Sequence, residues 1–466
     1  MTLIKSISGI RGTIGGKPGD SLSPNDIVKY TAAYATWLLK SDKTESRKVV
    51  IGRDARPSGL MVSNIVSGTL MSMGLDVIDL ELSTTPTVEI AVAEEKAAGG
   101  IIITASHNTK QWNALKLLNY KGEFISEADG NEILTIAESD DYNYVGVNKL
   151  GGYKTDNSYI QKHIDKILAL PLVDAKAIKA KNFKIVIDCV NSTGGIAVPM
   201  LLKALGVEDI IELFCEVTGD FSHNPEPLPQ NITELCKIVT KRNAHFGIAV
   251  DPDVDRLALV SEDGEPFGEE YTLVAVADYI LKHKHGGNTV SNLSSTRSLN
   301  DITLKHGGNY FASAVGEVNV VEMMKKNNAV IGGEGNGGVI YPELHYGRDA
   351  LVGIALFLSH LAKYGKSCSM LRANYPSYHI SKNKIELSNG MDVDNILLEI
   401  QEKYKKQPIN TIDGVKIEFD KEWVHLRKSN TEPIIRIYAE SSFQTTADNL
   451  AEKIISDIKD IILNKV

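Results

Sequence analysis

An α/β architecture is predicted for this chain: three related mixed-sheet α/β domains followed by a smaller α+β domain. Short apolar strands alternate with helical stretches along most of the sequence, the pattern of sheets covered by helices. A strand, a polar turn and a helical stretch recur three times, and each unit is followed by a further strand that ends in a polar loop. The length agrees. A chain of 466 residues exceeds what one core supports, and the usual domain size implies three or four domains.

The first unit begins at Val49-Val50-Ile51, turns through Gly52-Arg53-Asp54-Ala55-Arg56-Pro57-Ser58-Gly59 and continues with helical spacing from Leu60 to Met73. The second begins at Lys184-Ile185-Val186-Ile187-Asp188 and turns through Asn191-Ser192-Thr193-Gly194-Gly195 into a helical stretch from Ile196 to Leu205. A weaker third starts near Thr289-Val290-Ser291-Asn292 and turns through Ser294-Ser295-Thr296-Arg297. The further strands are Ile101-Ile102-Ile103, Phe246 to Val250, and Ala329-Val330-Ile331. Polar or glycine-rich segments near Tyr153, Arg256 and Cys368 divide the chain into 1–152, 153–256, 257–368 and 369–466. The last of these reads differently. Strand-like runs at Val415 to Phe419, Trp423 to Arg427 and Ile434 to Ala439 precede an amphipathic helix from Thr446 to Leu463, which suggests a small α+β domain closing over the others.

Hydrophobic residues make up 43% and charged residues 23%, the balance of a globular protein. Lys and Arg number 50 against 59 Asp and Glu, and the basic residues are scattered, so no nucleic-acid partner is expected. No run resembles a signal peptide or a membrane span, so a cytoplasmic protein with no membrane partner is expected. Cys189, Cys215, Cys236 and Cys368 lie far apart without a Cys-x-x-Cys pair and read as buried thiols. Any anionic ligand must then be held by local groups.

Four stretches offer such groups. Thr104-Ala105-Ser106-His107-Asn108 follows the apolar run Gly99 to Ile103, which places it at the carboxyl end of a strand, where open α/β sheets bind ligands. Ser106 is a candidate phosphoryl carrier, with His107, Asn108, Asn113 and Lys116 as donors for its oxygens; ordinary turn chemistry is the alternative. Asp251-Pro252-Asp253-Val254-Asp255-Arg256 sets three carboxylates at alternate positions on a tight turn. They can converge on one hard cation and leave a position open for a phosphate oxygen. A calcium loop conflicts with Arg256 at its sixth position, where glycine is needed, and with the preceding strand. A solvated acidic turn and a phospho-aspartate nucleophile at Asp251 stay open. In Gly332-Gly333-Glu334-Gly335-Asn336-Gly337-Gly338 the glycines permit close approach of a ligand, and Glu334 and Asn336 can face one side to bind vicinal hydroxyls. A flexible turn would read the same way. Arg427-Lys428-Ser429-Asn430-Thr431-Glu432-Pro433-Ile434-Ile435-Arg436 offers two guanidiniums, two hydroxyls and an amide as a phosphate nest, or as a generic anion-binding turn.

Taken together and in order, these stretches resemble the α-D-phosphohexomutase family over essentially the whole chain. The early Ser8-Gly9-Ile10-Arg11-Gly12-Thr13 is similar to that family's amino-terminal motif, whose arginine reaches the active site. The resemblance implies a heart-shaped protein whose central cleft receives one loop from each of four domains. It implies that Ser106 carries the phosphoryl group, that Asp251, Asp253 and Asp255 with Ser106 bind Mg²⁺, and that Glu334 and Asn336 bind the sugar. Arg427, Ser429, Asn430, Thr431 and Arg436 match the loop that holds the substrate's other phosphate. The activity implied is transfer of a phosphoryl group between C6 and C1 of a hexose phosphate through a bisphosphorylated sugar, by a monomer or homodimer. Charge neutralisation by the metal, Arg11, Arg256 and Lys116 would drive it. Lys116 matches the candidate general base, and nearby cations are expected to lower its pKa. An aspartate-dependent sugar phosphatase using Asp251 is the alternative from another class.

The sequence also departs from parts of the family. Phosphomannomutase/phosphoglucomutase members end the sugar loop in histidine, where this chain has Gly338, so that role is expected to pass to Lys116 or His345. Val315-Gly316-Glu317 carries an acidic residue where those members have histidine. That feature and the phosphate loop look more like the phosphoglucosamine mutases, with glucosamine 6-phosphate and glucosamine 1-phosphate as substrate and product. Glu317 is expected to assist a protonated C2 amine, or else to position a loop.

Overall fold

The computed structural model describes residues 2–6, 9–387, 392–428 and 434–463. Its first sheet has seven strands, in the order Ile4–Ser6, Gly9–Thr13, Trp112–Leu118, Gly99–Ile103, Lys48–Arg53, Asp76–Leu82 and Tyr153–Thr155. The second runs Leu257–Ser261, Phe246–Val250, Lys184–Asp188, Asp209–Leu213, and the third Gly338–Ile340, Ala329–Glu334, Asn288–Asn292, Tyr310–Ser313. Four consecutive strands of the first sheet, from Trp112–Leu118 to Asp76–Leu82, repeat the order found in the other two. The recurrence expected from the sequence is therefore a recurrence of topology.

In each repeat three strands pair in parallel, and the fourth, at one end of the order, pairs antiparallel with its inner neighbour. Parallel inner strands must be covered on both faces, which is why Phe246–Val250 and Gly99–Ile103 are apolar and buried throughout. The antiparallel step creates the site loops. Residues 104–111, 251–256 and 335–337 each join an inner strand to its antiparallel neighbour, so all three reversals lie at the carboxyl ends of inner strands.

The C-terminal domain is a five-stranded antiparallel sheet in the order His379–Glu386, Ile434–Ser441, Trp423–Lys428, Val415–Glu418, Ile409–Asn410. Helix Gln444–Leu463 covers it with Ala447, Leu450, Ala451, Ile454 and Ile458, a stripe at helical spacing. This domain has its own core, as does the first. The second and third share one. Helix Ala350–Tyr364, late in the third repeat, is buried along nearly its whole length, and Phe357 packs edge-on against both Phe246 (5.9 Å) and Phe267 (5.5 Å). Ile164, Ile187, Val198, Tyr279 and Leu356 belong to that same cluster. The C-terminal domain meets the third through polar contacts, among them Ser294 Oγ with His425 Nδ1 (2.9 Å), Val315 N with Asp413 Oδ2 (2.9 Å) and Arg297 N with Glu440 Oε1 (3.0 Å).

Strand pairing runs past two of the expected domain limits. Tyr153–Thr155 joins the first sheet through Asp76–Leu82, and Leu257–Ser261 closes the second through Phe246–Val250. An antiparallel return needs only a short reversal, so the chain stays with its sheet beyond Arg256. Of the four free cysteines, Cys189 and Cys368 are buried as expected, whereas Cys215 and Cys236 are half-exposed. No helix among the described residues is long and apolar enough to cross a membrane.

Candidate active site

Ser106 sits just past the inner strand Gly99–Ile103 with left-handed backbone geometry, φ 48°. This conformation costs a residue with a Cβ about 1–2 kcal/mol and persists where its surroundings fix it. Arg56 supplies that constraint. Its buried guanidinium donates to the carbonyls of Thr109 (2.8 Å), Trp112 (2.9 Å) and Ser106, while Asp54 Oδ2 accepts from its Nε at 2.8 Å. Thr104 Oγ1 donates to Asp54 at 2.6 Å and accepts from Ser106 N at 2.9 Å. Held in this frame, Ser106 Oγ donates to Asp251 Oδ2 at 2.9 Å.

Asp251, Asp253 and Asp255 are fully buried, and one ligand atom from each lies within 4.8 Å of the others. Val254 at φ 61° is a β-branched residue in left-handed geometry, and it turns the loop so that alternate carboxylates converge. Asp253 and Asp255 each have one oxygen tethered by the protein, and Asp251 has one held by backbone N–H groups and the other by Ser106. Asp251 Oδ1 accepts from the N–H groups of Asp255 and Arg256, both at 3.1 Å. Asp253 Oδ2 accepts from Lys116 Nζ (2.7 Å) and Thr85 Oγ1 (2.6 Å), and Asp255 Oδ2 from Arg348 Nη2 (2.6 Å). Asp253 Oδ1 and Asp255 Oδ1 are buried without a hydrogen-bond partner among the described residues. Burial, together with the charges of Asp255 and Asp253, holds Asp251 well above the usual carboxylate range. Free carboxylate oxygens converging under mutual repulsion beside a hydroxyl fit a hard divalent cation such as Mg²⁺.

Adjoining this turn through His107, Arg256 and Arg348, a cleft of about 660 Å³ is lined from all four domains. His107 comes from the first, Arg256 from the second, Glu334, Asn336 and Arg348 from the third, and Arg427 and Arg436 from the fourth. Arg11, opposite Ala114 on the strand beside Lys116, donates Nη1 to Asn108 Oδ1 at 3.1 Å. Burial, then the charges of Arg256, Arg348 and Arg11, push the His107 imidazole far below its ordinary pKa, so it is neutral. Arg256 Nη1 donates to Glu226 Oε1 at 3.0 Å. The glycine-rich stretch is a hairpin in which Glu334 pairs with Gly338 and Asn336 stands in the turn. Glu334 Oε1 accepts from Asn292 Nδ2 (2.8 Å) and Gly316 N (3.1 Å), and Oε2 from Arg348 Nη1 (2.8 Å). Arg427 and Arg436 face each other on neighbouring strands, and Asp413 Oδ2 lies 2.8 Å from Arg427 Nε. Ser429, Asn430 and Thr431 lie outside the described residues.

Three expectations are corrected. Lys116 was expected to have a lowered pKa. Burial does lower it, but the charges of Asp253 and Asp255 and the hydrogen bond to Asp253 outweigh that, and it is raised. Of the two roles expected for Glu317, the sugar amine is not the one its place fits: it does not line the cleft, and its Oε1 accepts from Arg348 N (2.9 Å) and its Oε2 from Arg348 Nε (3.0 Å), as positioning requires. His345 does not replace a histidine at 338. It is buried between Asp349 (3.3 Å) and Glu89 (3.2 Å), and although burial alone would lower its pKa, those carboxylates raise it to about 10. Arg348 takes the space instead, since a Cβ at Gly338 would meet Arg348 Cδ at 2.4 Å.

The chain matches the four domain families described as phosphoglucomutase/phosphomannomutase alpha/beta/alpha domains I, II and III and C-terminal domain, over residues 3–144, 161–264, 268–378 and 384–456. It is 34% identical to a phosphoglucomutase/phosphomannomutase of Thermococcus kodakarensis, covering 95% of this chain and 96% of that one. It is 32% identical to a phosphoglucosamine/phosphogalactosamine mutase of Sulfurisphaera tokodaii, covering 98% of each. A crystal structure of a phosphoglucomutase/phosphomannomutase family protein from Burkholderia thailandensis superposes with a TM-score of 0.83 at 22% identity over 98% of each chain. The chain therefore belongs to the phosphoglucomutase/phosphomannomutase family, the α-D-phosphohexomutases, and is an isomerase of the phosphohexomutase class.

Proposed function

We propose that the protein converts glucosamine 6-phosphate to glucosamine 1-phosphate through phospho-Ser106 and a bisphosphorylated sugar. The observation that carries this reading is the Ser106 hydroxyl, aimed into a triad of buried carboxylates with free oxygens, beside a cleft whose wall holds Arg427 and Arg436 and also Ser106's neighbour His107 and Asp255's neighbour Arg256. A sugar phosphate can be gripped by that wall at one end and present a hydroxyl to phospho-Ser106 at the other. The attacking hydroxyl oxygen forms the new P–O bond as the Ser106 Oγ–P bond breaks. Lys116, kept as an ammonium by Asp253 and Asp255, gives a proton to the departing Oγ and regains one from the attacking hydroxyl. Arg11 and Arg256 bring positive charge to the transferred phosphoryl oxygens, and neutral His107 offers a donor without adding charge. Mg²⁺ held by Asp251, Asp253, Asp255 and the phosphoserine oxygen would supply further charge neutralisation at that group. The sugar bisphosphate then turns over and returns its other phosphoryl group to Ser106. Glu334 and Asn336 serve both orientations by binding vicinal hydroxyls.

The sugar assignment is supported by the Sulfurisphaera relative's name and by the replacement of histidine with Gly338 and Arg348. Glu270, which lies against Gly335 beneath the hairpin, adds a carboxyl group able to accept from a C2 amine. A second reading, mannose and glucose phosphates, is favoured by the Thermococcus relative's name. Coupled assays should give a kcat/KM for glucosamine 1-phosphate about tenfold or more above those for mannose and glucose 1-phosphates, the effect of one satisfied polar contact. Faster turnover of either neutral sugar would overturn the glucosamine assignment.

A further inference from the structure

We propose that Arg348 is a positioning residue that couples the metal-binding turn to the sugar-binding hairpin. This rests on the reading of those two elements given above. The guanidinium is nearly buried and reaches three carboxylates at once: Nη2 to Asp255 Oδ2 (2.6 Å), Nη1 to Glu334 Oε2 (2.8 Å) and Nε to Glu317 Oε2 (3.0 Å). Glu317 also accepts from the Arg348 backbone N–H, so the residue is gripped at both ends of its side chain. A planar fork with fixed donor directions holds its partners in one relative geometry, which a lysine could not do.

The two outer partners matter most. By taking Oδ2 of Asp255, Arg348 leaves Oδ1 as that residue's buried oxygen without a hydrogen-bond partner, and so decides which oxygen remains for a cation. By taking Oε2 of Glu334, it leaves Oε1 to Asn292 and Gly316 and fixes the plane of the carboxylate that meets the sugar. A shift of either carboxylate is transmitted to the other through one rigid group of atoms. Gly338 belongs to the same device, because any side chain there collides with Arg348 Cδ.

The test is linkage between two ligands. Mn²⁺, read by electron paramagnetic resonance, is titrated into the whole enzyme with and without saturating glucosamine 6-phosphate, mannose 6-phosphate or glucose 6-phosphate. In wild type, the preferred sugar phosphate should tighten Mn²⁺ binding about tenfold, and Mn²⁺ should tighten the sugar phosphate by the same factor. Arg348→Met should remove that coupling. Because this variant leaves buried carboxylates unpaired and can fail to fold, Gly338→Ala serves as the second variant. It keeps every charge but displaces the Arg348 stem, and should bind each ligand with the coupling reduced towards unity. Arg348→Lys should not restore it. Coupling retained in folded Arg348→Met or Gly338→Ala enzyme overturns the proposal while leaving the metal site standing. A wild-type enzyme that binds no Mn²⁺ overturns the metal site and the proposal together.

Discussion

Ser106→Ala enzyme is expected to lose mutase turnover by about 10⁴-fold or more, the scale on which removal of a covalent nucleophile is felt. Two neighbouring hydroxyls among the described residues already have partners. Thr104 Oγ1 is committed to Asp54, and Thr85 Oγ1 donates to Asp253 from the far side of the triad. Intact-protein mass followed by peptide mapping should find one phosphoryl group on Ser106 in wild type and none in the variant. Alanine keeps a Cβ at the same left-handed position, and the Arg56 clamp binds backbone carbonyls, so thermal unfolding should be nearly unchanged. An active variant carrying phosphate on Asp251 would instead establish the aspartate-dependent phosphatase chemistry.

Chelation is expected to produce the second-largest effect, a reversible loss of about 10³-fold that Mg²⁺ restores, since a bound metal contributes several kcal/mol to stabilising a transferring phosphoryl group. Asp253→Asn should show a similar loss that added Mg²⁺ does not restore. The amide keeps the volume and can still accept from Lys116 and Thr85, but it removes the negative charge from the oxygen pair. Direct Mn²⁺ titration separates a lost metal from a misplaced one. Full activity in excess chelator, or in the Asp253→Asn enzyme, would refute a metal role for the triad.

The parts legible in the sequence were those that short-range patterns encode. Apolar runs ending in polar loops located Ser106, the aspartate turn and the glutamate hairpin, because a buried inner strand must be apolar and its carboxyl end carries the loop. Alternation in the aspartate turn located the three carboxylates. Contacts between distant segments were not legible. Arg56 lay in a stretch read as a connector, and only the parallel pairing of Lys48–Arg53 with Gly99–Ile103 brings it under the serine loop. Arg348 stands fourteen positions after Glu334 and ninety-three after Asp255, with no motif of its own. The sequence leaves Glu317 between a sugar amine and loop positioning because its partner Arg348 is distant in the chain, and it points the Lys116 pKa the wrong way because two carboxylates at 2.7 and 3.7 Å are not visible in it. The isolated pair Gly347-Arg348 just before the helix at Ala350 was the one available hint.

The single core shared by the second and third repeats has a consequence for motion. Two bodies that bury Phe246, Phe267 and Phe357 against one another cannot slide without opening a cavity, so the aspartate turn and the glutamate hairpin ride on one rigid block. The C-terminal domain is a separate body, with its own core and a polar seam that water can replace at little cost. On the mechanism proposed above, opening of the cleft is expected to fall to a swing of that domain, carrying Arg427 and Arg436 with it. Native-state hydrogen exchange should report this as a hierarchy. Phe246–Val250 and Ala329–Glu334 should open together in one cooperative event, and Ile434–Ser441 in another of lower free energy. If the two inner strands instead exchange independently, the block is not rigid and the hinge lies elsewhere.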